Sequence, residues 1–196
     1  MKKTPRIAAP ALLAVAVVWG AAFVLMKPAI EQQPFYDFLA TRFTVATLIM
    51  ILVRPKVLAE INWDLLKRGI PLGVLLALGY ITQTIALELT TAAITGFLTG
   101  LYVVLTPVLG FFIFKKKLDV RIFIGAVLAT IGLALLSLNG LSIEPGQLWG
   151  IACALLFAAH IVALGAWSPG KNVYVLTVLQ LGTMAVINWK IGRAHV

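Results

Sequence analysis

Arg42 is the residue that most needs a reason to be where it is, a guanidinium several positions inside the apolar run 35–53. At such a depth a charge costs roughly 2.5–3.5 kcal/mol on insertion scales, so it faces a cavity or a partner. Asp37 lies five positions earlier, about 140° away around a helix, which turns Arg42 toward another helix. There it can anchor or gate a solute, with a structural ion pair or a snorkelling chain as the alternative. Thr95, Thr99, Tyr102 and Thr106 recur at i, i+4, i+7 and i+11, which stacks them on one helical face. Tyr80, Gln83, Thr84 and Glu88 form a second stripe, and Trp19, Phe23 and Lys27 a third. Three helices that each carry one polar or aromatic stripe predict a shared hydrated cavity; plain interhelical hydrogen bonds are the other use of such residues. His160 stands midway in a later apolar run, as a packing residue or a proton carrier. Glu88 and Lys27 lie near span edges, where solvated ends are their alternative reading.

This inventory favours binding and passage over catalysis. The sequence holds no nucleophile elbow, phosphate-cradling glycine loop, zinc-helix motif or paired carboxylates. Its single cysteine, Cys153, excludes an intrachain disulfide and a cysteine-based metal cluster. His160 has no second ligand at a metal-binding spacing. Neither a metal nor a cofactor is expected.

The elements that must position these groups follow from composition. Of 196 residues, 61% are hydrophobic and 12% charged, against about a quarter charged in a soluble domain. So much apolar surface cannot be hidden in one small soluble core. Runs long enough to cross about 30 Å of hydrocarbon occur at 7–26, 35–53, 69–89, 92–114, 122–138, 149–167 and 173–189. Trp149, Trp167 and Trp189 are placed as interfacial anchors, and Gly125 and Gly132 as packing residues. Pro107 is expected to loosen its helix. In the loop 54–68, Val57, Leu58, Ile61, Leu65 and Leu66 recur at helical spacing, which predicts a short helix on the membrane surface.

The net charge of +9 is gathered in alternate loops. Lys2, Lys3 and Arg6 precede the first span; Arg54, Lys56, Lys67 and Arg68 separate the second and third. Lys115, Lys116, Lys117 and Arg121 follow the fourth, and Lys171 follows the sixth. The loops 28–34, 90–91 and 139–148 carry no Lys or Arg. This bias puts the N-terminus in the cytoplasm and accounts for most of the charge without nucleic acid.

The first two spans overlay the sixth and seventh without a gap. Trp19 falls on Phe157, Gly20 on Ala158, Tyr36 on Tyr174 and Arg42 on Gln180. The two starts are five spans apart, an odd number, so the second copy enters from the opposite side, as in inverted-repeat transporters. The closing residues 191–196 read back into codons of a common sequencing adapter, and 190–196 are set aside as a scar. On this reading 1–140 is the first five-helix repeat and 141–189 the start of a second, incomplete one.

In order and spacing, several motifs resemble the EamA-type branch of the drug/metabolite transporter superfamily. They are Trp19-Gly20-x-x-Phe23, Arg42-Phe43, the stretch from Gln83-Thr84 through Ala92-Ala93 to Gly96-Phe97, Thr106-Pro107, the basic loop 115–117 and Gly125 with Gly132. The resemblance implies ten helices in two inverted repeats, cytoplasmic termini, and alternating access for small metabolites, amino acids or drugs, often outward. Asp119 takes the place of an acidic residue that commonly follows the basic loop. The expectation is an all-α membrane protein of seven transmembrane helices, truncated from a ten-helix (5+5) fold and placed in a bacterial inner membrane. Trp19, Tyr80, Gln83, Thr99, Tyr102 and Thr106 then line the substrate path, Arg42 and Glu88 supply charge, and His160 or Glu88 couples protons. The partners are a small-molecule substrate and the lipid bilayer; proton coupling and a homodimer are left open. A membrane-embedded subunit of a larger complex and a membrane enzyme are the alternatives. A seven-helix receptor fits the orientation poorly, and a retinal protein lacks its lysine in 173–189.

Overall fold

The structure, a computed structural model, describes residues 8–115, 120–137 and 144–194. Lys2, Lys3, Arg6, Lys116, Lys117 and Asp119 lie outside the described residues, as do 138–143 and 195–196. The described elements are helices: α1 (Ala8–Gln32), α2 (Phe35–Val53), α3 (Trp63–Leu89), α4 (Ala92–Gly100), α5 (Tyr102–Phe114), α6 (Val120–Ser137), α7 (Pro145–Trp167) and α8 (Val173–Arg193), with a 3-10 turn over Pro55–Glu60. Six segments are long and apolar enough to cross a membrane, α4 and α5 counting together as Ala92–Phe114. α6 supplies the helix for the expected fifth span. Helices are what a bilayer demands, because every backbone N–H and C=O must find its partner within the segment. The chain is an all-α, multi-pass membrane protein.

Local chemistry sets the helix ends. Asn62 Oδ1 accepts from the Leu65 amide and starts α3, Thr91 Oγ1 accepts from Ile94 and starts α4, and Asn172 Oδ1 accepts from Tyr174 and Val175 at the head of α8. Each satisfies an otherwise orphaned helix-start donor. The fourth span is interrupted at Leu101, whose amide bonds to Leu98 O in a tight 3-10 closure at 3.1 Å, six residues before Pro107. The weak helix former Gly100 precedes the break, while Pro107 sits inside α5.

The helix expected on the surface at 54–68 divides in two. Pro55–Glu60 forms the 3-10 turn, and α3 already begins at Trp63, six residues ahead of the expected third span. Val57 is fully buried against Leu65, Val175, Leu176 and Val178, whereas Leu58 points outward. Pro55 at the start favours the tight turn.

α3 is the hub of the bundle, packed against α7 on one side and α8 on another. Small residues permit the close approach. Gly69 and Gly73 face Leu179, Gln180 and Thr183 of α8; Gly79 lies under the Phe157 ring of α7; Gly150 of α7 faces Leu98 of α4. A central cluster of Leu39, Phe43, Ala77, Ile81, Met184 and Ala185 joins α2, α3 and α8.

α2 and α8 meet in opposite order. Tyr36 and Asp37 pack on Gly192, Thr44 accepts from the Trp189 indole, Thr47 approaches Gly182, and Met50 O accepts from the Tyr174 hydroxyl. The two helices are therefore antiparallel. α8 runs on through Lys190–Arg193, into the segment that the sequence reading set aside.

The loops sort to two ends. At one end Asp64 pairs with Lys171 at 2.8 Å and Arg68 at 3.0 Å, and Glu60 joins Arg54 at 2.6 Å and also accepts from Asn172. At the other, Lys27 Nζ meets the last carbonyls of α3, and Gly146 packs on Leu89 and Thr90. The basic loops around Arg54–Arg68 and Lys171 thus share one end of the bundle.

Candidate functional site

α1 presents Trp19, Ala22, Phe23 and Met26, a strip at i, i+3, i+4 and i+7 that helical geometry stacks on one face. Arg42 of α2, Tyr80 and Gln83 of α3, and Phe157 of α7 close a small cavity against that strip. Its free volume of about 20 Å³ is room for roughly one water molecule.

An aromatic series runs along this cavity and beyond it. Tyr80 is edge-on to Phe43 at 5.0 Å and to Phe157 at 5.2 Å; Tyr102 is edge-on to Phe157 at 6.3 Å and to Trp19 at 6.4 Å. Such edge-to-face pairs align the positive ring edge with the negative face of the neighbour. Arg42 lies over two of these rings, 5.5 Å from the Phe43 centroid and 5.6 Å from Tyr80. Its Nη1 donates to Met26 Sδ at 3.2 Å, a weak acceptor. Among the described residues no carboxylate pairs with Arg42. Asp37 is turned toward Gly192 of α8, consistent with the angular argument from sequence.

Behind the cavity, Gln83 Nε2 donates to Thr99 Oγ1 at 3.2 Å, and Thr99 Oγ1 lies 3.8 Å from Cys153 Sγ. The three residues bind α3, α4 and α7 through one buried polar chain. On the other side of Trp19 and Phe23 a larger groove of about 470 Å³ opens between α1 and the α4–α5 span, floored by Gly96, Gly100 and Tyr102. Trp19 and Phe23 line both spaces, and Thr99 reaches the groove.

Of the nine residues singled out from the sequence, Trp19, Arg42, Tyr80, Gln83, Thr99 and Tyr102 converge here. Three do not. Thr106 Oγ1 donates back to Tyr102 O within α5 at 2.6 Å. The Glu88 side chain is exposed at the end of α3, and its backbone carbonyl accepts from Lys27 at 3.0 Å. His160 is buried between α7 and α3, its Nδ1 3.1 Å from Leu72 O. Phe157, Phe43 and Met26 belong to the site and were not selected from sequence. Phe157 carried a signal, since the internal repeat lays it on Trp19, and the two line the same cavity. Gln180, the repeat counterpart of Arg42, is buried against α3 and donates to Leu176 O at 3.0 Å.

The chain is 34% identical over 170 residues to an uncharacterised transporter of Archaeoglobus fulgidus, covering 86% of this chain and 52% of that protein. It therefore spans about half the length of the curated relative it matches. No solved structure matches. The EamA-like transporter family model matches residues 6–138, from the first basic cluster through the end of α6. A membrane-spanning helical bundle, stripes meeting at an internal cavity, and that match across most of the chain lead to one conclusion: this protein belongs to the EamA-like transporter family.

Proposed function

We propose that the cavity and groove around Trp19 form the substrate path of a secondary transporter that exports small metabolites, amino acids or drugs by alternating access. Residues 1–140 are the first repeat of that protein and 141–189 the opening of its second. The observation that carries the reading is Arg42, a guanidinium inside a membrane span that faces a cavity and has no carboxylate partner among the described residues. A charge left so costs free energy unless a solute or water uses it. The N-terminus lies in the cytoplasm of a bacterial inner membrane in this proposal, which places the charge-free loops outside. Proton coupling and homodimerisation belong to the same proposal.

The test is solute movement. The protein is reconstituted in liposomes and a panel of amino acids, small organic acids and drugs is followed with and without an imposed pH gradient. Arg42→Ala and Tyr102→Ala, at matched incorporation, are expected to abolish movement of whichever solute the wild type carries. Unchanged rates in either variant remove that residue from the path, and no movement of any solute by the wild type overturns the reading.

A further inference from the structure

We infer that the site takes a singly charged carboxylate on a flat apolar body, the carboxylate on Arg42 and the body in the groove between α1 and the α4–α5 span. This rests on the reading of the cleft as the substrate path and names the class of solute. Three observations converge. Arg42 is the one charged side chain among the described residues lining either space, so the site balances one negative charge and leaves a dianionic phosphate ester half unmatched. Among the described residues its Nη1 is held by a thioether sulfur alone, which a carboxylate displaces readily because a guanidinium matches carboxylate geometry with two parallel hydrogen bonds. The space at Arg42 holds about 20 Å³ while the groove behind Trp19 holds about 470 Å³. The groove has room for a ring. The space at Arg42 has room for about one water, so the carboxylate reaches the guanidinium by displacing Met26, and Trp19 and Phe23, which line both spaces, turn aside to let head and body join. The groove is apolar, with Trp19, Phe23, Phe97 and Tyr102 offering aromatic surface and Gly96 and Gly100 letting a flat body lie close to the α4 backbone.

The probes are 3-phenylpropionate, its neutral amide 3-phenylpropionamide and the cation 3-phenylpropylamine, titrated calorimetrically into the protein in nanodiscs with empty nanodiscs subtracted. The carboxylate is expected to bind about tenfold or more tightly than the amide, and the amine more weakly than either. Arg42→Gln equalises carboxylate and amide. Arg42→Lys keeps the charge preference at reduced affinity, because the paired geometry is lost. It also provides the test if the Gln variant fails to fold. Phe97→Leu weakens carboxylate and amide alike, since Phe97 lines the groove and not the space at Arg42. Equal binding of carboxylate and amide by the wild type, no carboxylate binding, or an undiminished preference in Arg42→Gln overturns the inference. In proteoliposomes, passage of neutral or cationic solutes without preference for the carboxylate also overturns it while leaving the transport reading standing. Arg42-dependent carboxylate binding with no solute moved has the opposite consequence.

Discussion

Lys27 Nζ of α1 lies 2.7 Å from the carbonyl oxygen of Leu87, and the same ammonium reaches Glu88 O at 3.0 Å and Thr90 O at 3.1 Å. Three donors meet three carbonyls at the negative end of α3, where the helix leaves its last C=O groups unpaired. This clasp fixes the end of α1 that carries Phe23 and Met26, and so the wall of the cavity at Arg42. Lys27→Met is expected to cost about 1–2 kcal/mol, seen as a lower thermal midpoint in detergent. An unchanged midpoint would assign the clasp no net stabilisation.

The close approach of α3 to α8 makes a second prediction. A Cβ at Gly73 would stand 3.0 Å from the Gln180 backbone and 2.6 Å from Thr183 Cβ, whereas one at Gly165 meets nothing within 4 Å. Gly73→Ala should therefore destabilise by about 1–3 kcal/mol through overpacking. Gly165→Ala, in the last turn of α7, restricts the unfolded chain and should be neutral or gain up to about 1 kcal/mol. Equal thermal midpoints for the two variants would contradict this packing.

Asn188 is fully buried; its Nδ2 donates to Met184 O at 2.8 Å, and its Oδ1 has no hydrogen-bond partner among the described residues. An unpaired buried acceptor costs about 1–3 kcal/mol. Asn188→Leu, of similar size, is expected to raise the thermal midpoint. A fall would mean that Oδ1 is satisfied in the membrane.

Orientation has its own experiment. Glu31 and Lys56 are both exposed, beyond opposite ends of α2. In a Cys153→Ala background, a membrane-impermeant maleimide is expected to label Glu31→Cys in intact cells and Lys56→Cys only after permeabilisation. The reverse pattern would invert the proposed topology.

Membrane residence, the positions of the spans and the sorting of basic loops could be read in the sequence because each depends on local composition. A run of apolar residues lowers its free energy in lipid whatever its neighbours do, and a lysine cluster resists crossing wherever the rest of the chain goes. The stripes were legible for the same reason, since residues spaced by helical turns share a face. Which faces meet is another matter. In an apolar span the rotation of one helix against another is set by steric fit at Gly69, Gly73, Gly79 and Gly150, and nothing in a single stripe encodes its partner. Thr106 bonds back to Tyr102 O of its own helix, while Thr99 joins Gln83 across to α3. The Gly79 approach brings the Phe157 ring under α3 and into the cavity, and the end of α3 leaves Glu88 outside it. By itself the sequence determined a helical membrane protein with a charge that needs a use. Only the packing of α1, α2, α3 and α7 decided that this charge sits beside five aromatic rings and a groove, because small-residue contacts made over long sequence separations fix where each helix face points.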